Sequence, residues 1–161
     1  VNCVVINRPT SRAQIELALS RSAICYLAGP RQSGKTTLAR TFVAPSHSAY
    51  FDLEDMETES RLSAPKLALN QDCPLTVIDE VQKRPELFVL LRVLADSPER
   101  RTKYLIWGSA APRVIKGVSE SLAGRVELVE LAGFSPSEVG AFGGGGIDAI
   151  ETLRLRGGLP P

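Results

Sequence analysis

The sequence contains little cysteine, a single histidine and no long apolar run, and each scarcity excludes a class of protein. Cys3, Cys25 and Cys73 are widely spaced and form no C-x-x-C pair, which argues against a disulfide framework and a cysteine metal site. His47 lies in a polar stretch without cysteine or histidine neighbours, so we interpret it as structural or solvated. No apolar run approaches the ~18 residues of a membrane span, and no basic and apolar leader opens the chain. These features predict a soluble, cytoplasmic protein without a membrane partner.

An excess of charge of one sign is also missing. The 161 residues include 19 lysines and arginines against 18 aspartates and glutamates, which leaves a net charge of +1. The net charge of the chain therefore gives no overall attraction to nucleic acid, which disfavours direct binding of nucleic acid. A local basic patch on the surface is still compatible with this balance. The length fits the roughly 100 to 200 residues of one domain and allows a sizeable core.

A glycine-rich loop is the strongest motif in the chain. Residues 29–37 read GPRQSGKTT and fit the phosphate-binding pattern G-x-x-x-x-G-K-[ST] at every fixed position. An apolar run over 24–27 precedes the loop as a buried strand, and 37–40 can continue as a helix whose first N–H groups point at an anion. Lys35 adds a positive charge for phosphates, and Thr36 offers a hydroxyl to Mg²⁺. The predicted nucleotide-binding residues are Gly29, Pro30, Arg31, Gln32, Ser33, Gly34, Lys35, Thr36 and Thr37.

Strand and helix patterns alternate along the rest of the chain. After a short β-branched run at 4–6, the first helix is expected to start at the S-x-x-Q capping box of Ser11, and the loop helix to end near Pro45. An acidic run opens a helix at 54–59, Pro85 begins another, and Ser135 to Glu138 form a second capping box. The predicted strands are 24–27, 50–53, 75–78, 103–107 and 126–131, the last one alternating apolar and acidic residues and open to water on one face. This order predicts an α/β fold with a mostly parallel sheet between two helical layers.

Two further polar motifs follow predicted core strands. Asp79 and Glu80 come directly after the strand 75–78, and Ser109 comes after the strand 103–107. Because ligands bind at the carboxyl ends of parallel strands, we expect these residues to meet the glycine loop there. Asp79 is the predicted Mg²⁺ ligand, and Glu80 the catalytic residue that orients or deprotonates a water molecule. Any surface Asp-Glu pair can imitate this motif, so the prediction depends on the loop and the buried strand together.

Several segments together resemble the AAA-like P-loop ATPases of prokaryotes, whose core is normally followed by a carboxyl-terminal domain of unknown function. The segments that carry the resemblance are GPRQSGKTTLAR at 29–40, YFDLED at 50–55, VIDEVQ at 77–82, GS at 108–109, SESLAGRV at 119–126 and RGGLP at 156–160. The resemblance implies a P-loop NTPase fold of AAA type, with a five-stranded sheet in which the fourth strand lies between the first and the third. It also implies ATP rather than GTP, and no guanine-reading N-K-x-D motif follows the loop.

The resemblance also implies roles for Lys35, Ser109 and Arg125 in catalysis. Ser109 would sense the γ-phosphate from between the loop and Glu80, although Trp107 and Ala110 stand where the family commonly has polar residues. Arg125 would neutralise charge on the γ-phosphate, in cis or in trans. The alternative for Arg125 is a salt bridge to Glu120 or Glu127.

We therefore expect an ATPase core with an amino-terminal helix over 1–140, and a glycine linker that opens a truncated carboxyl-terminal region over 141–161. The predicted function is Mg²⁺-dependent ATP hydrolysis that changes the conformation of an attached domain or of a protein partner. A nucleotide-dependent binding module with little turnover, DNA-associated or not, stays open, as does a small-molecule kinase. The identity of the partner and the oligomeric state stay open too, a homo-oligomer included.

Overall fold

The structure, a computed structural model, describes residues 8–43, 48–70, 73–99, 101–135 and 138. Within these residues five strands alternate with helices. The strands are β1 (Ile24–Gly29), β2 (Ser48–Asp52), β3 (Leu75–Asp79), β4 (Lys103–Ser109) and β5 (Val126–Glu130). The helices are α1 (Pro9–Arg21), α2 (Lys35–Arg40), α3 (Met56–Arg61), α4 (Pro65–Leu69), α5 (Glu86–Asp96) and α6 (Pro112–Ser121), with a 3₁₀ turn over Val81–Lys83.

The five strands form one parallel sheet in the order β2-β3-β4-β1-β5. The fourth strand lies between the first and the third, as the family resemblance implies. Gly29 pairs with Ser109, and Asp52 pairs with Asp79, so the polar strand ends fall on the same edge of the sheet. The sheet order therefore confirms the predicted meeting of the three motifs.

Helices cover both faces of the sheet, which confirms the predicted three-layer α/β fold. On one face, side chains of α1 and α2 pack against Cys25, Leu27, Val77, Leu105 and Trp107 of the strands. On the other face, side chains of α4, α5 and α6, together with Leu62 just after α3, pack against Ile24, Tyr26, Ile78 and Ile106. The apolar strand residues are buried on both faces because the helices exclude water from both.

Several predicted boundaries are wrong. Helix α1 begins at Pro9 with Arg8 as its N-cap, and Ser11 is a buried residue inside the helix rather than its start. Proline suits the first helical turn because the N–H groups of that turn have no acceptor within the helix, so the N–H that proline lacks is not needed. Helix α2 ends at Arg40, earlier than expected. Helices α4 and α6 and the 3₁₀ turn lie in segments for which no helix was predicted.

Strand β5 is an edge strand with one open face, but its acidic residues do not mark that face. Leu128 is 42% exposed, whereas Val129 and Leu131, which point the other way, are buried. Glu127 shares the face of Val129, so acidic residues occur on both faces of the strand. The sequence pattern therefore predicted the strand correctly, but it did not predict which of its side chains face water.

Other predictions concern residues outside those described, namely the β-branched run at 4–6, Cys3, His47 and the region 141–161. Cys25 is fully buried in the core as expected, and burial raises the pKa of its thiol to about 12. The reciprocal capping box is also present, because Ser135 N donates to Glu138 Oε2 and Glu138 N donates to Ser135 Oγ. Among the described residues, no helix combines the length and the apolar character needed to cross a lipid bilayer.

Candidate functional site

The glycine loop connects the carboxyl end of β1 to α2. Its backbone takes left-handed conformations at Gln32, where φ is 61°, and at Gly34, where φ is 82°. A side chain at the Gly34 position would be strained in this conformation, which explains the fixed glycine of the motif. Turns of this kind aim successive N–H groups into one concavity that can accept an anion. Within the predicted nucleotide-binding set, the side chain of Ser33 is turned inward and donates to Pro30 O at 2.9 Å, whereas Arg31 and Thr37 are exposed.

Lys35 lies at the first residue of α2 and is buried. Its ammonium donates to the carbonyl oxygens of Gly29, at 2.9 Å, and Pro30, at 2.6 Å, both in the loop itself. Burial lowers the pKa of Lys35, while the nearby carboxylates of Glu80 and Asp79 act in the opposite direction. The loop lysine and the two carboxylates at the end of β3 therefore share one electrostatic environment.

Asp79 ends β3 beside the loop. Its Oδ2 accepts hydrogen bonds from the hydroxyl of Tyr50, at 3.1 Å, and from that of Thr36, at 3.4 Å. Burial raises the pKa of Asp79 to about 6, and the hydrogen bond from Tyr50 partly offsets this rise. The second oxygen, Oδ1, is buried and has no hydrogen-bond partner among the described residues.

The surroundings of Asp79 fit a magnesium ion held mainly by other ligands. A buried carboxylate oxygen without a partner lies on the same side chain that contacts the Thr36 hydroxyl, and Mg²⁺ prefers oxygen ligands. Within the described part of the chain, no group of three or more histidine, cysteine, aspartate or glutamate side chains could hold a metal ion. Such an ion would therefore depend on substrate phosphates and water for most of its coordination, as Mg²⁺ usually does in nucleotide sites.

Glu80 follows Asp79 in an unusual backbone conformation. Its φ of 52° and ψ of 41° are left-handed, which is uncommon for a residue with a side chain. The chain then enters the 3₁₀ turn, and the carboxylate Oε2 of Glu80 accepts a hydrogen bond from Gln82 Nε2. The residue is half-buried at the edge where the loop, Asp79 and Ser109 meet.

Ser109, the last residue of β4, lies next to the loop and between β1 and β3 as predicted. Its hydroxyl oxygen accepts from Ala111 N at 3.1 Å. Its backbone carbonyl accepts from the Tyr26 hydroxyl at 2.9 Å, and its backbone N–H donates to Gln82 Oε1 at 3.3 Å. The position suits the predicted sensor of a γ-phosphate bound at the loop, and the sensing role itself stays a prediction.

Arg125 lies away from the other predicted site residues. It immediately precedes β5, and its carbonyl accepts from Ile24 N at the amino end of β1, whereas the loop follows the carboxyl end of that strand. Its guanidinium makes a two-pronged salt bridge to Asp96, with both N–O distances at 2.6 Å. The partner is thus Asp96 and neither Glu120 nor Glu127. Within one chain the structure does not bring Arg125 to the loop, and a role in trans stays a prediction.

Three residues contact the site although sequence reasoning gave them no role: Tyr50, Gln82 and Arg8. Tyr50 and Gln82 belong to YFDLED and VIDEVQ, so the family resemblance marked both segments without saying what these side chains do. Arg8 is buried and donates to Ser33 O in the loop at 3.2 Å, but in the sequence it is only one arginine before a proline. Its contacts bridge segments that are distant in sequence, and no local pattern predicts such contacts.

Comparison with protein families finds a match to the model of an AAA domain over residues 21–140. Two curated relatives, uncharacterized proteins of Mycobacterium bovis and Mycobacterium tuberculosis, are each 45% identical to this chain over 161 residues. The match covers 100% of this chain and 35% of each relative, so the chain spans about a third of their length.

Solved structures share the fold at low sequence identity. A Walker-type ATPase of Pyrococcus abyssi has a TM-score of 0.60 and 15% identity, covering 98% of this chain and 60% of its own. A signal transduction ATPase of Pyrococcus horikoshii with a tetratricopeptide repeat sensor has a TM-score of 0.57 and 14% identity, covering 98% of this chain and 28% of its own. A DNA replication initiation factor has a TM-score of 0.55 and 15% identity, covering 96% of this chain and 53% of its own. At these identities the comparisons show a common fold and nothing finer.

Proposed function

Because this chain belongs to the AAA domain family of P-loop ATPases, we propose that it binds ATP with Mg²⁺, hydrolyses it, and thereby changes the conformation of an attached domain or of a protein partner. The observation that carries the proposal is the convergence of Lys35, Asp79 and Glu80 at one edge of the sheet. The hydroxyl of Thr36, the residue after Lys35, donates to Asp79 Oδ2 at 3.4 Å, and Glu80 directly follows Asp79, so the loop and both carboxylates lie side by side.

Each group has a distinct task in the proposed reaction. Lys35 and the loop N–H groups bind the phosphates, and Thr36 and Asp79 hold Mg²⁺, which neutralises phosphate charge when it is bound. Glu80 orients a water molecule and accepts its proton, because a carboxylate within hydrogen-bond reach can act as a general base. Ser109 lies where it can respond to the terminal phosphate.

The experiment compares ATP binding and phosphate release for the wild type, Glu80→Gln and Lys35→Ala. Glu80→Gln is expected to bind ATP nearly as the wild type does but to release phosphate ~10² to 10⁴ times more slowly, the usual contribution of a positioned base. Lys35→Ala is expected to weaken ATP binding roughly 10- to 150-fold, because it removes a charge-assisted contact to phosphate. Calorimetry and a phosphate assay on the same preparations separate the two effects.

Two results would contradict these assignments. Unchanged affinity in Lys35→Ala would remove the loop from the nucleotide site. A parallel loss of binding and turnover in Glu80→Gln would make Glu80 a structural or metal-binding residue rather than a base.

A slow switch is the second candidate function, and the segment around Ser109 favours it, since the apolar Trp107 and Ala110 stand where the resembling ATPases commonly have polar residues. A switch of this kind would bind ATP tightly and release less than one phosphate per chain over hours. A phosphate assay under single-turnover conditions distinguishes the two, and ATPase activity with water as the sole acceptor excludes a small-molecule kinase.

A further inference from the structure

Gln82 contacts Glu80, which follows β3, and Ser109, the last residue of β4. Its side-chain Nε2 donates to Glu80 Oε2, and its Oε1 accepts from Ser109 N at 3.3 Å. A primary amide can do this because it carries a donor and an acceptor on one planar group. Among the described residues, Gln82 is the side chain that joins Glu80 to Ser109.

The backbone around Gln82 is arranged for this contact. Glu80 takes a left-handed conformation, and the turn that follows is closed by a bond from Lys83 N to Glu80 O at 2.9 Å. The turn brings the side chain of Gln82 back toward the carboxylate of Glu80, two residues earlier. A left-handed residue with a side chain persists only where its surroundings fix it, and such residues cluster at functional sites.

Gly108 leaves the space that the amide occupies. A Cβ atom built on Gly108 would collide with Gln82 Oε1, and it would also lie 3.1 Å from the hydroxyl of Tyr26. Tyr26 in turn donates to Ser109 O at 2.9 Å, so the Ser109 residue is held through its carbonyl by Tyr26 and through its N–H by Gln82. The absence of a side chain at 108 is therefore a condition for the bridge from β4 to Glu80.

We propose that Gln82 is the positioning residue of the site, which fixes the carboxylate of Glu80 relative to the Ser109 peptide. The proposal rests on the proposed ATPase function, in which Glu80 is the base. In the proposed role, Gln82 contacts neither phosphate nor water, and it acts on the reaction through Glu80. A merely structural role, in which Gln82 only closes the turn, predicts a change in stability with no specific change in turnover.

The first test replaces Gln82 by methionine, which keeps the length of the side chain and removes both amide groups. Gln82→Met is expected to lower kcat about 10- to 100-fold while the Kd for ATP changes less than about 3-fold, because only the orientation of the base is lost. Gln14→Met is the matched control, since Gln14 is exposed on α1, and it is expected to leave both values unchanged. Equal kcat in Gln82→Met and the wild type would overturn the proposal.

A second variant separates the two contacts of the amide. Gln82→Glu keeps an oxygen that can accept from Ser109 N but replaces the donor toward Glu80 with a second carboxylate. At pH 8, where carboxylates are ionised, it is expected to lower kcat at least as much as Gln82→Met does. Wild-type kcat in Gln82→Glu would mean that the Ser109 contact alone matters, and would also overturn the proposal.

A double-mutant cycle shows whether Gln82 acts through Glu80. In the Glu80→Gln background, Gln82→Met is expected to cause no further loss of kcat, because the base that it orients is already absent. A full loss in both backgrounds would show that Gln82 acts on something else and would contradict the proposal. Thermal unfolding of each variant confirms that the compared proteins are folded.

The failure of the proposed function is distinguishable from the failure of this inference. If the wild type releases phosphate no faster than Lys35→Ala, the ATPase proposal fails, and urea unfolding of Gln82→Met, Glu80→Met and the double variant then decides about Gln82. Non-additive free energies of unfolding would support the hold of Gln82 on Glu80, since residues in contact couple. Additive values would overturn it.

Discussion

Asp79 is buried although one of its carboxylate oxygens has no hydrogen-bond partner among the described residues. Burial of an ionised carboxylate disfavours the folded state unless other groups compensate, and burial is the main reason why the pKa of Asp79 rises to about 6. A residue selected for stability alone would be neutral at this position. The arrangement fits a residue retained to bind a cation, at a cost to the stability of the ligand-free protein.

Asp79→Asn is accordingly expected to stabilise the protein in the absence of nucleotide and metal. The pKa of Asp79 is higher in the folded protein than in the unfolded chain, so the stability associated with its proton is present below about pH 4 and lost as the pH rises to about 6. The advantage of Asp79→Asn should grow over that window and level off above it, reaching about 2 to 6 °C in Tm at pH 8.

Differential scanning calorimetry in EDTA from pH 4 to pH 8 measures this advantage, with Asp55→Asn as the control. Asp55 is exposed at the start of α3, and its substitution is expected to give no comparable pH-dependent gain. A constant difference between Asp79→Asn and the wild type across the range would mean that burial does not perturb this carboxyl.

At the residue scale, the sequence predicted the site only as far as a local motif extends. Lys35, Thr36 and Asp79 were placed correctly near each other because a loop motif and a strand end fix their positions. The contacts of Tyr50 and Gln82 depend on side-chain conformation and on neighbouring strands, which spacing along one chain does not encode. Arg125 was assigned to the site because its segment resembles the family. In the structure it lies at the amino ends of the strands, opposite the site.

At the scale of elements, the segment before α1, the glycine loop and the segment after β5 are joined by one side chain. Arg8 is 6% exposed, and it donates to Glu138 Oε1 at 2.9 Å, to Ser33 O at 3.2 Å and to Ala132 O at 3.0 Å. The guanidinium suits this task because its donors point in several directions within one plane. Through Arg8, the glycine loop is therefore hydrogen-bonded to segments that are distant in sequence.

Arg8→Met is expected to lower the free energy of unfolding by about 3 kcal/mol, because it leaves the half-buried Glu138 carboxylate and the carbonyl oxygens of Ser33 and Ala132 without their donor. Arg21→Met is the control, since Arg21 is 62% exposed at the end of α1 and makes only a 3.8 Å ion pair with Glu127. That variant should lose less than about 1 kcal/mol. Urea unfolding gives both values, and an equal effect of the two substitutions would contradict a role of Arg8 in joining the elements.

The apolar strands and the leucine-rich helix α5 were predictable from the sequence, because their apolar residues occur in continuous runs or at helical spacing. Helices α4 and α6 were not, because each is short or carries few buried residues: only Leu69 in α4 and only Val118 in α6. The start of α1 was misplaced because Ser11 imitates a capping box, while Pro9 two residues earlier already fits the first turn.

At the scale of the whole molecule, the site lies at the carboxyl ends of the parallel strands and Arg125 lies at their amino ends. Strand β1 separates them, and its six residues span about 16 Å at ~3.3 Å per residue. An arginine at that distance cannot contact the nucleotide of its own chain without a large rearrangement. Only a second copy of the chain could bring Arg125 to the loop, so its predicted trigger role requires assembly.

Arg125→Ala is therefore expected to bind ATP normally and, at concentrations where the chain is alone, to turn over as the wild type does. Phosphate release measured across a dilution series, together with size-exclusion chromatography, checks this expectation. A loss of ~10³ in turnover, the effect of removing a transition-state arginine, would contradict it if the loss persisted in the monomer. Restoration of activity on mixing Arg125→Ala with Glu80→Gln would instead show that the arginine crosses a subunit boundary.

The sheet order was predictable because the family resemblance specifies it, whereas the proposed partner of the domain was not. Recognition of a partner depends on surfaces or on attached segments, and the chain spans about a third of the length of its curated relatives. The activity of those longer proteins therefore has to be tested on chains of their length.

The indole of Trp107 gives the molecule an optical reporter. It is the sole tryptophan in the chain, it is fully buried, and its ring centroid lies 6.0 Å from that of Tyr50, whose hydroxyl is bonded to Asp79. Excitation of the indole alone therefore samples the region behind the carboxylate without any dye. Emission recorded during a titration with Mg²⁺ and ATP would follow events at the site from the native fluorescence of a single residue.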